Sequence, residues 1–363
     1  MKIIHVVPGP LHKGGVGTLV GNLCESLAKQ GNSVTAYYVD RTAIHRHERK
    51  SMHGVSVMGI RPIIGDPFYV PPHSLIRDLD RENADIIHVH NIHTLLLLYV
   101  ATFKKRLSEK MVLQPHYHER GQSIVRNLLF SSYKKILRAT VFRHFDAIIA
   151  NSEYEKASLE RDFQKFSGKV ELVPEEYSLT VPSYVTWKPS IQSKRLLYVG
   201  ALSRYKNVEL LVRALRILTL KRKDIELIII GDGPEKQRLM KLAFSLGVHD
   251  NITFKHGLPH DDLLREYVAA SVVVLLSTLE SFSRVAHEAI AVGTPLVVYN
   301  YGTLSDLVKR GLAKGVNTLD PEEVASIINE VLSKDWKNIK VAQSLNGEIY
   351  ANLIYKLYEH LLE

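Results

Sequence analysis

Two glutamates, Glu280 and Glu288, stand in a Glu-x7-Glu spacing within the stretch VVVLLSTLESFSRVAHEAIAVGTPLVVYN, residues 272–300. The elements that must position them can be read around them. The apolar run 272–276 predicts a buried parallel strand. A polar turn over 277–283 holds Glu280, and a helix over about 284–292 carries Glu288 near its start. Gly293 stops that helix and Pro295 opens the next strand, 296–299. Both carboxylates therefore come to the carboxyl edge of a parallel sheet, where open α/β sheets bind ligands. The unpaired N–H groups of the helix's first turn point to the same edge and suit a phosphate or another anion.

A second anion-facing arrangement opens the chain. Residues 2–8 predict a strand, GPLHKGGVG over 9–17 is a glycine-rich loop, and 16–30 is a helix with Leu19, Leu23 and Leu27 on one stripe. Glycines let a backbone approach a ligand closely. The run Gly15-x-Gly17-x-x-x-Gly21 has one residue too many for the dinucleotide fingerprint, although Asp40 ends the second predicted strand where a ribose-binding acid would sit. A nicotinamide-dependent oxidoreductase therefore stays open as an alternative.

Histidines gather on two further predicted strands. His88 and His90 alternate onto one face of DIIHVH, residues 85–90, with His93 just beyond. No carboxylate or cysteine accompanies them at ligand spacing, so they read as hydrogen-bonded structural residues rather than a metal site. The strand 111–117 ends with His116 and His118 at the carboxyl edge. An imidazole there can donate a hydrogen bond to developing charge near neutral pH.

The 363 residues suffice for about two domains. One cysteine, Cys24, leaves no disulfide framework and fits a reducing compartment. The apolar run 3–7 is too short for a signal sequence, and no apolar run approaches a membrane span. The expected location is the cytoplasm. Of the net charge of +9, a surplus of +8 falls between residues 99 and 143, where ten bases meet two acids. The predicted amphipathic helix 123–145 lies in that segment, with Val125, Leu129, Tyr133, Ile136, Leu137, Thr140 and Val141 on its apolar face. Such a basic segment could meet an anionic membrane surface. It lacks the interleaved aromatics of a nucleic-acid stacking platform, and no nucleic-acid partner is expected.

The Glu280-x7-Glu288 frame, with Ala289, Gly293, Pro295 and the Val-rich strand after it, resembles the signature of retaining GT-B glycosyltransferases of family 4. The segment LLYVGALSRYK, 196–206, is similar to that family's Gly-Arg-Leu-x3-Lys motif, with Lys206 on the Lys and Ala201 in place of the Arg. Gly231-Asp232-Gly233-Pro234 is a turn typical of the family. The resemblance implies an α/β fold of two Rossmann-like, doubly wound parallel-sheet domains facing across a cleft. It implies an acceptor-binding domain over 1–176, a linker over 177–194, a nucleotide-sugar-binding domain over 195–335, and a segment 336–363 whose helix returns to the first domain.

The same resemblance implies the site. Glu288 would accept both ribose hydroxyls, and Glu280 would hydrogen-bond the transferred sugar. Arg204 and Lys206 would hold the leaving diphosphate. The backbone around Phe282 and Ser283 would contact sugar or phosphate, although Ser281-Phe282-Ser283 stands where the family has Gly-Phe-Gly. Gly14 and Gly15 would lie near the donor phosphates and the acceptor. His116, with His118 as its competitor, would lie near the sugar and its leaving phosphate. Transfer of a hexosyl unit from a UDP- or GDP-sugar to a glycan or lipid-linked acceptor, with retention and without a metal or other cofactor, is the implied activity. Glu175 and Glu176 replace the usual Asn-Gly after Pro174. Besides the oxidoreductase, a non-catalytic sugar-nucleotide binder stays open, because Ala201, Glu175, Ser281 and Ser283 depart from the family's pattern.

Overall fold

Short apolar runs rich in Val, Ile and Leu form most of the strands. A computed structural model describes the chain except residues 41–48, 66–68, 120–123, 180, 183–184, 191–192 and 334–346. It divides into two compact units, Met1–Ser178 with Asn346–Glu363, and Leu179–Leu345.

The first unit is built on eight strands: β1 (Lys2–Val7), β2 (Ser33–Val39), β3 (Arg49–Met52), β4 (Val55–Ile60), β5 (Ala84–His90), β6 (Ser108–Gln114), β7 (Ala147–Ala150) and β8 (Val170–Leu172). Their order is β3-β4-β2-β1-β5-β6-β7-β8. All neighbours are parallel except β3 and β4. Side chains alternate across the sheet, so each strand feeds two cores. Ile4, Val6, Ile87, Val89 and Leu113 pack on one face. Ile3, Val7, Ile86 and Val112 pack on the other, together with Leu19 and Leu23 of the helix Gly14–Lys29 and Tyr350, Ile354 and Tyr358 of the C-terminal helix Gly347–Leu362.

The second unit has six parallel strands: β9 (Lys194–Val199), β10 (Ile225–Ile230), β11 (Ile252–Lys255), β12 (Val272–Leu275), β13 (Leu296–Tyr299) and β14 (Lys314–Val316). Their order is β11-β10-β9-β12-β13-β14. The strand order reverses at β1/β5 in the first unit and at β9/β12 in the second. Loops that leave such neighbours part to opposite sides of the sheet and open a crevice at its carboxyl edge.

Local differences from the sequence reading have local causes. β6 stops at Gln114 rather than continuing to residue 117. Pro115 has no N–H for the ladder, and His116 turns left-handed at φ 47. The helix expected over 123–145 is α-helical over Ile124–Ile136, becomes a π-turn over Leu137–Val141, and ends in a 3-10 turn over Phe142–His144. Its buried side is Phe130, Leu137 and Val141, while Ile136 is 47% exposed and Thr140 is exposed. The side chains of Val125 and Leu129 lie outside the described residues. The helix expected within 336–363 is described from Gly347 to Leu362.

Folding also redistributes the basic surplus. Lys104 pairs with Asp146 at 2.6 Å, Arg106 with Asp80 at 2.8 Å and Lys134 with Asp162 at 3.3 Å. These three acids lie outside the 99–143 window, so a count along the chain overstates the local field.

The glycines that open the first helix separate by role. A Cβ on Gly17 would stand 2.2 Å from the Pro10 carbonyl oxygen, and one on Gly21 would meet the His12 ring. The loop before the helix is thus laid back over a Gly17–Gly21 face, and His12 N–H donates to the Gly17 carbonyl at 2.8 Å. Gly15 has open space where a Cβ would project. Gly17→Ala is expected to lower stability by about 1–3 kcal/mol, the usual size of overpacking. Gly15→Ala is expected to leave stability unchanged or raise it by about 0.5–1 kcal/mol. Urea unfolding of the two variants checks the contrast.

Candidate active site

In the second unit, the loop after β9 and the loop after β12 leave the two strands flanking the order reversal, and hydrogen bonds and an ion pair join them. Asn207 donates through Nδ2 to the Leu276 carbonyl at 2.8 Å. Thr278 N–H donates to the Tyr205 carbonyl at 2.9 Å. Lys206 Nζ reaches Glu280 Oε1 at 2.6 Å, with only 16% and 15% of the two side chains exposed. Asn207 adopts φ 54, which lets the chain turn from the 3-10 turn Arg204–Lys206 directly into the helix Val208–Lys221. A neighbouring loop is seated equally closely. Cβ atoms on Gly231 and Gly233 would collide with the Gly200 and Leu202 carbonyls, so the Gly-Asp-Gly turn exists to let backbone meet backbone.

Glu288 lies on the helix Arg284–Val292 and is buried. Its Oε2 accepts a hydrogen bond from the Tyr267 hydroxyl at 2.9 Å, and Arg284 stands 4.0 Å from its Oε1. Tyr267, fully buried on the helix His260–Ala269, is thereby held as the neutral phenol, because burial and the neighbouring carboxylate raise its pKa well above the usual value. Phe282 stacks on His287 at 4.2 Å, and His287 Nδ1 donates to the carbonyl of Ser283, which precedes the helix. Arg204 stands apart. It is 83% exposed and reaches Glu235 at 3.4 Å. A cavity of about 620 Å³ lies beside it, lined by Asn207, Glu209, Glu235 and Arg238 among others, and not by Lys206, Glu280 or Glu288.

In the first unit, Gly14 and Gly15 begin the first helix, Gly14 at φ 68, and the N-cap residue Lys13 makes no side-chain cap bond there. His116 is buried in its left-handed turn. The backbone is pinned on both sides: Asn91 N–H donates to the Gln114 carbonyl and Ile92 N–H to the Pro115 carbonyl, both at 2.9 Å. The Tyr117 N–H donates to buried Glu155, whose other oxygen accepts from Asn151 N–H at 2.8 Å. A left-handed non-glycine residue costs about 1–3 kcal/mol and persists where its surroundings over-determine it, often at a functional site. His118 donates through Nδ1 to the His116 carbonyl at 3.2 Å and is only partly buried. Burial pushes the Glu155 carboxyl up to about 8, and Glu175, in the place of the family's asparagine, adds to that rise.

Behind His116, His5, His88 and His90 cluster in the core, and they are the group among the described residues close enough to share an ion. Their geometry fits hydrogen bonds better. His5 Nδ1 and His90 Nε2 are 3.0 Å apart with ring centroids 5.3 Å apart, so the rings meet nearly end to end, as one N–H···N bond requires. His88 Nδ1 meets the Tyr358 hydroxyl at 2.6 Å. Adjacent strands place His5 directly opposite His88. His5, Gln114, Asn151, Tyr267, Tyr350 and Tyr358 were not singled out by sequence. The signal for His5, Gln114 and Asn151 was a lone polar residue within or at the end of an apolar run, which periodicity alone does not distinguish from a turn.

The fold places the protein in a known class. Sucrose-phosphate synthase from Thermosynechococcus elongatus superposes with a TM-score of 0.77 at 21% identity, covering 99% of each chain. Anabaena HepE in complex with UDP and glucose superposes with a TM-score of 0.75 at 16% identity, covering 99% of this chain and 100% of that one. At such identities the likeness concerns the fold, and the fold is GT-B: two parallel-sheet α/β domains. The model for "Glycosyltransferase Family 4" matches residues 13–175 and the model for "Glycosyl transferases group 1" matches residues 187–347. An uncharacterized glycosyltransferase of Methanocaldococcus jannaschii is 27% identical over 350 residues, 89% of this chain and 86% of that protein. The chain belongs to the group 1/family 4 glycosyltransferases.

Two outcomes follow from the geometry. Tyr267→Phe leaves a buried Glu288 oxygen without its donor and is expected to lower stability by about 1–3 kcal/mol in urea unfolding. The second concerns acid. Burial lowers the pKa of His5, His88, His90, His93 and His116, to about 3 for His5 and His116, so the folded state holds these rings neutral. The unfolded chain protonates them near 6.5, so their contribution is complete above that pH and falls as pH drops below it. The loss is up to about 1.4 kcal/mol per pH unit for each ring. Stability is expected to fall between pH 7.5 and 5.5, and His5→Gln should flatten the slope by about one ring's share.

Proposed function

We propose that this glycosyltransferase moves a hexosyl unit from a UDP- or GDP-sugar to a hydroxyl of a glycan or lipid-linked acceptor, with retention of configuration and without a metal. The observation that carries the reading is the Lys206–Glu280 pair, drawn together from the two loops that flank the strand-order reversal. An arriving diphosphate offers Lys206 a stronger partner than a carboxylate, and so releases Glu280 to a sugar hydroxyl. Lys206 then faces the negative charge that grows on the leaving diphosphate, where a fixed cation stabilises the transition state more than the ground state. Arg204, on an exposed and weakly held side chain, is free to swing to the same charge. Glu288, oriented by Tyr267, offers its remaining lone pairs to the ribose hydroxyls. His116 is assigned a hydrogen bond near the transferred sugar by the family resemblance. Front-face attack through an oxocarbenium-like state accounts for retention. The complex of Anabaena HepE with UDP and glucose supports a uridine donor.

A panel of UDP-, GDP-, ADP- and dTDP-sugars, their free nucleotides and NAD, each with and without chelator, tests this by thermal shift. One sugar nucleotide is expected to raise the melting temperature, as a ligand of the native state does by about 2.7 kcal/mol at a hundred times its Kd. The shift should survive chelator, disappear in Glu288→Ala and weaken in Lys206→Ala. A shift with NAD alone, or a sugar-nucleotide shift that needs a metal, would overturn the corresponding part of the reading.

A further inference from the structure

Gln114, Asn151 and Tyr350 are buried polar residues from three separate elements, β6, the end of β7 and the C-terminal helix, and they meet in one chain of hydrogen bonds. Gln114 Nε2 donates to Asn151 Oδ1 at 2.5 Å and to the Tyr350 hydroxyl at 2.6 Å. An amide NH2 has two hydrogens, and both are now placed. With its oxygen turned to Gln114, Asn151 presents Nδ2 to His116 Nδ1 at 3.1 Å. An amide nitrogen can only donate, so His116 Nδ1 must be unprotonated. The proton of a neutral ring then sits on Nε2, which has no partner among the described residues. The ring is thus held as a neutral donor, its free N–H unspent.

We infer that Tyr350 of the C-terminal helix is a positioning residue that acts through Gln114 and Asn151 to fix the orientation and tautomer of His116. The inference rests on the role proposed above for His116 in the reaction. Without the Tyr350 hydroxyl, Gln114 loses one of its two acceptors. The Gln114 and Asn151 amides can then turn over together, the Asn151 oxygen faces His116, and the ring proton moves to Nδ1. Nε2 becomes an acceptor and can no longer donate to developing charge.

The experiment reads the tautomer directly, by long-range ¹H–¹⁵N correlation of the full chain carrying ring-¹⁵N histidine, with His116→Gln to assign the signal. The wild type is expected to show the Nε2–H form alone between pH 6 and 8. Tyr350→Phe should give a mixture of tautomers, and Asn151→Asp, whose carboxylate only accepts, the Nδ1–H form. Tyr358→Phe, on the same helix but bonded to His88, should leave the His116 signal in place. With UDP-glucose as the probe donor, Tyr350→Phe should lower kcat on the order of tenfold, the size of an outer-shell loss, with KM little changed. An Nδ1–H form in the wild type, an unchanged signal in Tyr350→Phe, or an equal shift in Tyr358→Phe would overturn the inference. A shifted tautomer with unchanged kcat would uphold the positioning of the ring and remove His116 from the reaction instead.

Discussion

A polar group taken out of water has to find a partner inside the protein, and this requirement governs how both sheets of the molecule end. Each sheet is covered by apolar packing on both faces. Its strands can therefore be continuous runs of Val, Ile and Leu only as far as the carboxyl edge. There the chain must turn, and its N–H and C=O groups need bonds the ladder no longer supplies. In the second unit, Asn207, Tyr205, Thr278 and Leu276 supply them between two loops. The same knitting that satisfies the backbone brings Lys206 to Glu280. The charged pair is a consequence of closing the edge as much as a preparation for a ligand.

The first unit meets the requirement differently, because its polar groups lie within the sheet. His5, His88, His90 and Gln114 occupy strand positions that would ordinarily be aliphatic. Neutral imidazole suits such a place, since one ring can both give and accept a bond at little desolvation cost. Two aromatic residues of the C-terminal helix, Tyr350 and Tyr358, each bring a hydroxyl to the buried polar groups at the end of an otherwise apolar body. One helix face thus serves packing and hydrogen bonding together.

Much of this was legible in the sequence because it follows from period and punctuation. The strand, turn and helix around Glu280 and Glu288 appear where Val272–Leu275, Gly293 and Pro295 place them, and the helix Arg284–Val292 has the predicted bounds. Lys206 was marked by its loop. What stayed hidden depends on partners distant in the chain. Nothing near Tyr267 in sequence announces that its hydroxyl will hold Glu288. Nothing near Gln114 announces Asn151 or Tyr350. The basic stretch 99–143 depends on distant partners in the same way, since Asp80, Asp146 and Asp162 enter from beyond it. The π-turn after Ile136 has no residue signature that separates it from a continuing helix.

The route of the chain carries a consequence for biosynthesis. The first unit takes its last helix from residues that follow the whole of the second. A ribosome therefore releases β1 to β8 with the Ile3, Val7 and Ile86 face missing its C-terminal helix. That face has the helix Gly14–Lys29 but lacks the C-terminal one while the intervening segment, 179–345, is made. At a synthesis rate of about 5–20 residues per second this lasts on the order of ten seconds or more. The nascent protein thus carries an apolar sheet face, with His88 still lacking Tyr358, through much of its own translation. The second unit, contiguous in sequence, can complete its core first. For this chain the unit that begins first is the last to have all of its core residues made, and the interval is when a chaperone has most to shield.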